Sequence, residues 1–412
     1  MKKAISTSCY TFLQKIIEPI TCTGITPTGS SISNRSTNGY TERANAAPIA
    51  PTAMLSIGLK LNTRGIKEKI KKRSSNLFRL HSCYFFHYCR CYYTVWMASM
   101  SGKRRGLESG SKFLNWVVMD RVGAGAFGEV YRVRGANNQV YALKTEHCDA
   151  EHNVLMMDVT VLQDAGRQQF KHFAKIIESG RYRNDFFYLV MTLLGKSLHD
   201  LRKARKSEHF TPGTAIGSAI QTLEAIEELH KIGYLHRDIK PGNYSIGLPD
   251  RKGDVRNIYI LDFGMCRRYV RDDNTLRRPR SAAGFRGTPR YAALRCHMNM
   301  EYCRADDVES WIYMIVEMTS AGIPWRRIQN MSELGEQKRR VHALEPGMVR
   351  DLFNGCPPEY GLILQNVIQL GYYDVPHYQD YYDLLKQALS TKGPEFPYDW
   401  EDKRKGSSRK TK

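Results

Sequence analysis

The sequence predicts an α+β fold of two lobes, a small strand-rich lobe over residues 113–192 and a larger helical lobe over 196–395. Three observations predict it. Short runs rich in β-branched and aromatic residues, NWVVMDRVG, GEVYRVRG, QVYALK and FFYLVM, crowd the front of this region. After residue 210 the pattern turns helical: Ile216, Ile220, Leu223, Ile226 and Leu229 recur every three or four positions, and Gly233 closes the run. Strands gathered ahead of helices, rather than alternating with them, argue for segregated lobes and against βαβ units.

Ahead of the lobes, residues 1–110 read as a disordered basic extension. Its first sixty residues are rich in Ser, Thr, Asn, Pro and Gly, too polar to bury enough apolar surface to offset chain entropy. Residues 1–100 hold 14 Lys and Arg against 3 Asp and Glu, about half of the net charge of +21. Such a balance suits acidic or phosphate-bearing partners, nucleic acid included. A second reading places the true start at Met97 or Met100 and makes the upstream sequence a gene-prediction artefact. Lys15 and Glu18 interrupt the first apolar stretch, which excludes a secretory leader. A transit peptide fits the scarcity of acids but not that of Arg. KEKIKKR at 67–73 is either a nuclear import signal or a solvated run. CYFFHYCRCYYTVWM at 83–97 is too short for a bilayer span and is broken by His87 and Arg90. Its Cys83, Cys89 and Cys91, with His81 and His87, lack the paired spacing of a zinc site. Cys148, Cys266, Cys296, Cys303 and Cys356 stand far apart, as in a reduced, intracellular protein. Residues 396–412 read as a basic tail.

Four motifs carry chemistry. GAGAFGEV at 123–130 places Gly123, Gly125 and Gly128 in a loop followed by a strand, not by the helix of a dinucleotide fold. Glycines there let backbone N–H groups approach phosphates; a plain hairpin turn is the alternative. In VYALK, Ala142 and Lys144 share one strand face, leaving room for a flat base beside a cation. HRDIKPGNYSIG at 236–247 sets Asp238, Lys240 and Asn243 within six residues, and ILDFG ends an apolar run at Asp262, nineteen residues past Asn243. In this order they match the signature set of phosphoryl transfer. Asp238 would accept the hydrogen bond of an incoming hydroxyl, and Lys240 would neutralise the moving phosphate. Asn243 and Asp262 would supply the hard oxygens that Mg²⁺ prefers.

The chain resembles the casein kinase 1 superfamily of protein kinases, and within it the tau-tubulin kinase branch, over roughly residues 113–395. HRDIKPGNYSIG, AGFRGTPRYAALRCH at 283–297, RADDVESWIYMIVEM at 304–318 and GIPWR at 322–326 carry the likeness. AALR at 292–295 stands where most kinases have Ala-Pro-Glu, as in that family. The resemblance implies a bilobal protein-kinase fold and a serine/threonine kinase using ATP and Mg²⁺. It implies a nucleotide pocket of Val122, Gly123, Ala124, Gly125, Gly128, Val130, Ala142 and Lys144. Asp158, Met191, Leu193, Asn243 and Asp262 complete it, with Thr192–Leu194 as the hinge. Thr288 matches the residue that bonds the catalytic Asp and Lys, and Asp307 the carboxylate that braces the loop from a buried helix. Arg286 and Arg290 match positions that bind acidic or pre-phosphorylated substrates, with Arg277, Arg278 and Arg280 adding charge nearby. Protein substrates, tubulin- or tau-like ones among them, a monomer, and a cytoplasmic or nuclear location are further implications.

Some positions depart from the family. Asp158 replaces the usual Glu and is one methylene shorter, so its pair with Lys144 needs the helix closer. Gly242, where an acid or small polar residue is usual, loosens the loop. Ser245 replaces an apolar floor under the base, which costs about 1 kcal/mol of nucleotide affinity. Gln329 replaces a basic residue, which argues against a preference for primed substrates. Asp158 and Gly242 keep open a second class, a pseudokinase scaffold. A third, nucleic-acid binding through residues 1–100, has no recognition motif behind it.

Overall fold

The computed structural model describes residues 106–125, 128–150, 154–249, 254–320 and 322–401. Residues 1–105 of the expected extension, with its basic and aromatic runs, and most of the basic tail lie outside them; residues 106–110 belong to the fold instead, the Leu107 N–H donating to the Tyr131 hydroxyl at 2.9 Å and the Gly110 N–H to the Val118 carbonyl at 2.7 Å.

The front lobe is a six-stranded antiparallel sheet. Its strands are β1 (Lys112–Phe113), β2 (Trp116–Gly125), β3 (Gly128–Arg134), β4 (Val140–His147), β5 (Ile176–Tyr182) and β6 (Phe186–Thr192), ordered β1-β2-β3-β4-β6-β5. Along β3, Tyr131 and Val133 are buried while Arg132 and Arg134 are exposed, the period-two pattern of a sheet with one solvated face. Phe113 packs edge-on against Tyr182 and Tyr188, and Trp116 against Tyr141, which closes a small aromatic core. One helix, α1 (Val154–Arg167), interrupts the strands, and its buried Leu155, Val159 and Leu162 join the larger core of the second lobe.

The second lobe is built around α3 (Pro212–Lys231), preceded by the short α2 (Leu198–Lys203). Pro212 opens α3, where the missing N–H is no loss, and the apolar series from Ile216 to Leu229 faces the core. After it come β7 (Tyr234–Leu235), β8 (Tyr244–Ile246), β9 (Ile258–Ile260), β10 (Arg267–Arg268), α4 (Leu294–His297) and α5 (Arg304–Thr319). Then follow α6 (Met331–His342), α7 (Pro346–Leu352), α8 (Glu359–Val367) and α9 (Tyr378–Lys392). Helix α5 is buried on every side from Ala305 to Thr319, so each of its carboxylates must find an internal partner. Among the described residues no helix is long and apolar enough to cross a membrane.

The fold runs past the expected limit at 395. Tyr398 is fully buried, Asp399 accepts from the Thr211 backbone N–H at 2.7 Å, and Glu401 pairs with Arg256 at 2.8 Å. The chain reaches this position along α3, where a Cβ on Gly213 would stand 2.0 Å from the Pro394 carbonyl oxygen, closer than any side chain allows.

Glu224 ties the segment before β5 to α3. Its carboxylate meets Lys171 Nζ at 2.7 Å and His172 Nε2 at 3.0 Å. Burial works against its ionisation, but the hydrogen bonds from His172 and Lys171 outweigh it and bring the carboxyl down to about 2. The pair therefore contributes stability that is fully present above the unfolded carboxyl range and is lost as pH falls towards about 2. Glu224→Gln should lower stability by about 1 kcal/mol at pH 7. Urea titrations should show the gap narrowing by about pH 3.5; a gap that is constant with pH would contradict the assignment.

Candidate active site

The loop between β7 and β8 is held from beneath. Asp307 of α5, fully buried, accepts from the backbone N–H groups of His236 at 2.7 Å and Arg237 at 2.9 Å, and meets His230 Nε2 at 2.9 Å. Arg237 takes a left-handed conformation, φ +66°, and its Nε donates to the Met265 carbonyl at 2.7 Å. Above this anchor, Asp238 gathers three partners. Lys240 Nζ lies 2.6 Å from Oδ2, Thr288 Oγ1 donates to Oδ1 at 2.7 Å, and Asn243 Nδ2 donates to the Asp238 carbonyl at 2.8 Å. Lys240 also donates to Thr288 Oγ1 at 3.2 Å. Burial opposes the ionisation of Asp238, but the bonds from Lys240 and Thr288 prevail and hold it below the usual carboxylate range. It is an ionised acceptor at neutral pH, aimed by its neighbours.

A second constellation lines a cavity of about 320 Å³, which Asn243 of the first constellation also lines. Lys144, in the middle of β4, lies 2.6 Å from Asp158 Oδ2 on α1 and 3.5 Å from Asp262 Oδ1. Burial works against the charge on Lys144, yet Asp158 and Asp262 together raise it above the ordinary lysine value, so it remains a cation. Asp158 Oδ1 accepts the Phe263 backbone N–H at 2.7 Å. With a donor on each oxygen, Asp158 is matched as a carboxylate. The shorter side chain thus reaches its partner. Asp262 sits at φ +64° and ψ +72°, with nearly half of its side chain exposed. Asn243 has its amide nitrogen committed to Asp238, which leaves the carbonyl oxygen to ligate a metal. Among the described residues no group of three or more His, Cys, Asp or Glu could hold a metal. Two oxygen donors fit Mg²⁺, which keeps waters and takes phosphate oxygens.

Of the expected pocket residues, Gly128, Val130, Lys144, Asp158, Met191, Asn243 and Asp262 line the cavity. Val122, Gly123 and Ala124 do not: they are exposed on β2, one strand further out, Gly123 and Ala124 paired with Val130 and Glu129 and Val122 at a register shift. For Gly125 the structure gives only its pairing with Gly128. Ala142 is buried opposite Met191, and Leu193 lies just beyond β6. Ser245 is buried outside the lining, its strand paired with Tyr259 on one edge and bridged to Ser197 on the other. Leu162, Leu261 and Phe263 line the cavity instead, and the sequence reading missed all three. Leu261 and Phe263 flank Asp262, so the motif could have revealed them; Leu162 has no such signal. Gly242 lines the cavity with open space around it, since an added Cβ would meet only Lys240 Cε at 4.0 Å.

Beside the loop lies a wider groove of about 810 Å³, lined in part by His199, Lys240, Arg290, Arg326, Arg327 and Gln329. Arg290 is already engaged, by Glu317 Oε1 at 3.1 Å and the Arg326 carbonyl at 3.0 Å. Arg286 is exposed and outside the groove lining, bonding only weakly to its neighbour's carbonyl at 3.4 Å. Arg277 and Arg278 are exposed, whereas Arg280 pairs with the buried Glu301, its Nη2 at 3.1 Å.

Residues 116–369 match the protein kinase domain model. A Dictyostelium discoideum protein provisionally named a serine/threonine-protein kinase is 35% identical over 289 residues, 69% of this chain and 56% of that protein. The chain thus spans little more than half of that relative's length. The Caenorhabditis elegans serine/threonine-protein kinase spe-6 is 34% identical over 72% of this chain and 78% of its own. A Caenorhabditis elegans protein provisionally named a casein kinase I is 29% identical over 73% of this chain and 87% of its own.

The turn before Thr288 tolerates no side chain. Gly287 has φ +94°, and a Cβ there would lie 2.4 Å from the Arg237 carbonyl oxygen. Gly287→Ala should destabilise the fold by about 2 kcal/mol or more. Gly242→Ala, two residues after Lys240, should change it by less than about 0.5 kcal/mol. Chemical denaturation of both variants checks the contrast, and equal effects would refute it.

Proposed function

The chain belongs to the protein kinase family, and from that premise we propose that it transfers the γ-phosphate of ATP to serine or threonine hydroxyls of proteins. The observation that carries this reading is the pair of constellations: Asp238 with Lys240, Thr288 and Asn243 in one, Lys144 with Asp158 and Asp262 in the other.

The roles follow from charge and position. Lys144 remains a cation and offers it to the nucleotide phosphates. Asn243 and Asp262 would hold Mg²⁺, which when bound neutralises phosphate charge. Asp238, ionised and tied on both oxygens, accepts the hydrogen bond of the incoming hydroxyl, orients it for in-line attack and receives its proton. Thr288 and Lys240 fix the rotamer of Asp238, and Lys240 offsets charge on the group in flight. Catalysis of this kind is mostly positioning and neutralisation. The names of the relatives favour an active enzyme over a pseudokinase scaffold.

Membership of the casein kinase 1 superfamily, in its tau-tubulin branch, is the finer reading. Its support is the sequence motifs quoted above and one relative whose name carries that family. An acidic substrate is the companion proposal, supported by the basic groove. Arg327, exposed at the groove wall, is a better candidate for the anion than Arg290, whose charge Glu317 already meets. Cytoskeletal substrates rest on the resemblance alone, as does a cytoplasmic or nuclear location.

Incorporation of labelled phosphate into an acidic protein such as casein tests the activity. Asp262→Ala should reduce it about 10²- to 10³-fold, and undiminished transfer would sink the assignment. Arg327→Glu should raise the KM for an acidic peptide about tenfold at low salt, with a smaller effect at high salt. An unchanged KM would remove the groove from substrate recognition.

A further inference from the structure

Pro289, Arg290 and Tyr291 form one wall of the groove, and the segment from Pro289 to Ala293 belongs to no helix or strand. Its backbone polar groups therefore need partners from elsewhere. The Thr288 carbonyl accepts the Tyr291 and Ala292 N–H groups at 3.0 Å, and side chains supply others. Trp325 Nε1 donates to the Arg290 carbonyl at 2.9 Å, and Glu309 Oε1 of α5 accepts the Leu294 N–H at 2.9 Å. The Tyr291 hydroxyl donates to Glu317 at 2.5 Å. The segment ends in AALR and so lacks the glutamate that Ala-Pro-Glu would bring.

Two further carbonyls converge on one residue. Lys338 of α6 is fully buried; its Nζ donates to the Pro289 carbonyl at 2.9 Å and to the Ala292 carbonyl, and lies 3.1 Å from His297 Nε2 of α4. The rings of Tyr313 and Trp325 stand 5.3 Å and 5.7 Å from it. None of its hydrogen-bond partners is a carboxylate. Burial draws the ammonium down to about 7, against the opposing fields of Glu309 and Cys296. Taking a lysine this far out of water is unfavourable unless its donors are used. An apolar side chain of equal length would fill the space but would take this donor from the Pro289 carbonyl and from the buried Ala292 carbonyl.

We propose that Lys338 is a positioning residue for the protein substrate, holding the Pro289 and Ala292 carbonyls so that the wall of the groove keeps the shape that receives the acceptor peptide. The effect is selective. The nucleotide cavity shares no lining residue with the 289–292 segment, whereas Pro289, Arg290 and Tyr291 all line the groove. Loss of the amine should leave ATP binding intact and impair peptide binding. The proposal rests on the kinase reading.

The test is steady-state kinetics on the full chain with ATP, Mg²⁺ and casein. Lys338→Met, similar in length but with no donor, should raise the protein KM about tenfold, with the ATP KM within twofold of wild type and kcat reduced less than threefold. Lys338→Gln, which retains an amide donor, should fall between the two; should the Met variant fail to fold, the same split in the Gln variant decides. A protein KM within twofold of wild type in the folded variant overturns the proposal. So does a parallel rise in both KM values, which marks a general structural role. If wild type itself transfers no phosphate, the kinase reading fails first and this proposal with it.

Discussion

A single buried carboxylate organises the cleft. Asp307 is a fully buried carboxylate in the first turn of α5, and it spends its oxygens on the His236 and Arg237 backbone N–H groups and the His230 imidazole. Those bonds fix the first residues of the loop, including the left-handed Arg237, a backbone state that costs a non-glycine residue about 1 kcal/mol or more. Once that bend is set, Asp238, Lys240 and Asn243 can only point as they do. The strain is offset by charge-assisted bonds in a low-dielectric interior, where they are stronger than in water. Two of the other buried acids of α5 grip chain outside the helix: Glu309 holds Leu294, and Glu317 holds Arg290 and Tyr291. A buried polar helix thus acts as the template on which the irregular loops are laid.

Asp158 joins the two lobes through one side chain. One oxygen takes the cation of β4 and the other takes the backbone of Phe263, next to Asp262. The position of α1, the charge on Lys144 and the left-handed turn at Asp262 are therefore mechanically one unit. Phe263 stacks on Phe173 with ring centroids 5.6 Å apart, which extends the unit into the core. The shorter acid serves here as a bridge in its own right.

The cleft was legible in the sequence where chemistry is confined to short motifs. Asp238, Lys240, Asn243 and Asp262 announce themselves by spacing, and Lys144 by its place on a strand. The two-lobed arrangement followed from strands grouped ahead of helices. What stayed hidden depends on contacts between distant segments. Leu162 is an ordinary apolar helix residue until the fold sets it beside the cavity. Lys338 reads as one more surface cation in EQKRR, yet it is fully buried. Arg290 reads as a free anion receptor, although Glu317, 27 positions away, has claimed it. By resemblance Ser245 belongs under the nucleotide, but pairing with Tyr259 and the bridge to Ser197 keep it out of the lining.

The return of the chain to α3 has a practical side. Asp399 caps the helix from a position nearly two hundred residues downstream, and Tyr398 shares hydrogen bonds with Gln221 and Glu395 beneath it. The start of α3 is therefore covered by six residues that composition alone assigns to a tail. Anyone trimming the chain for crystallisation, or splicing a fluorescent reporter to its end, should cut beyond Glu401, since an earlier junction would leave the start of the central helix without its lid.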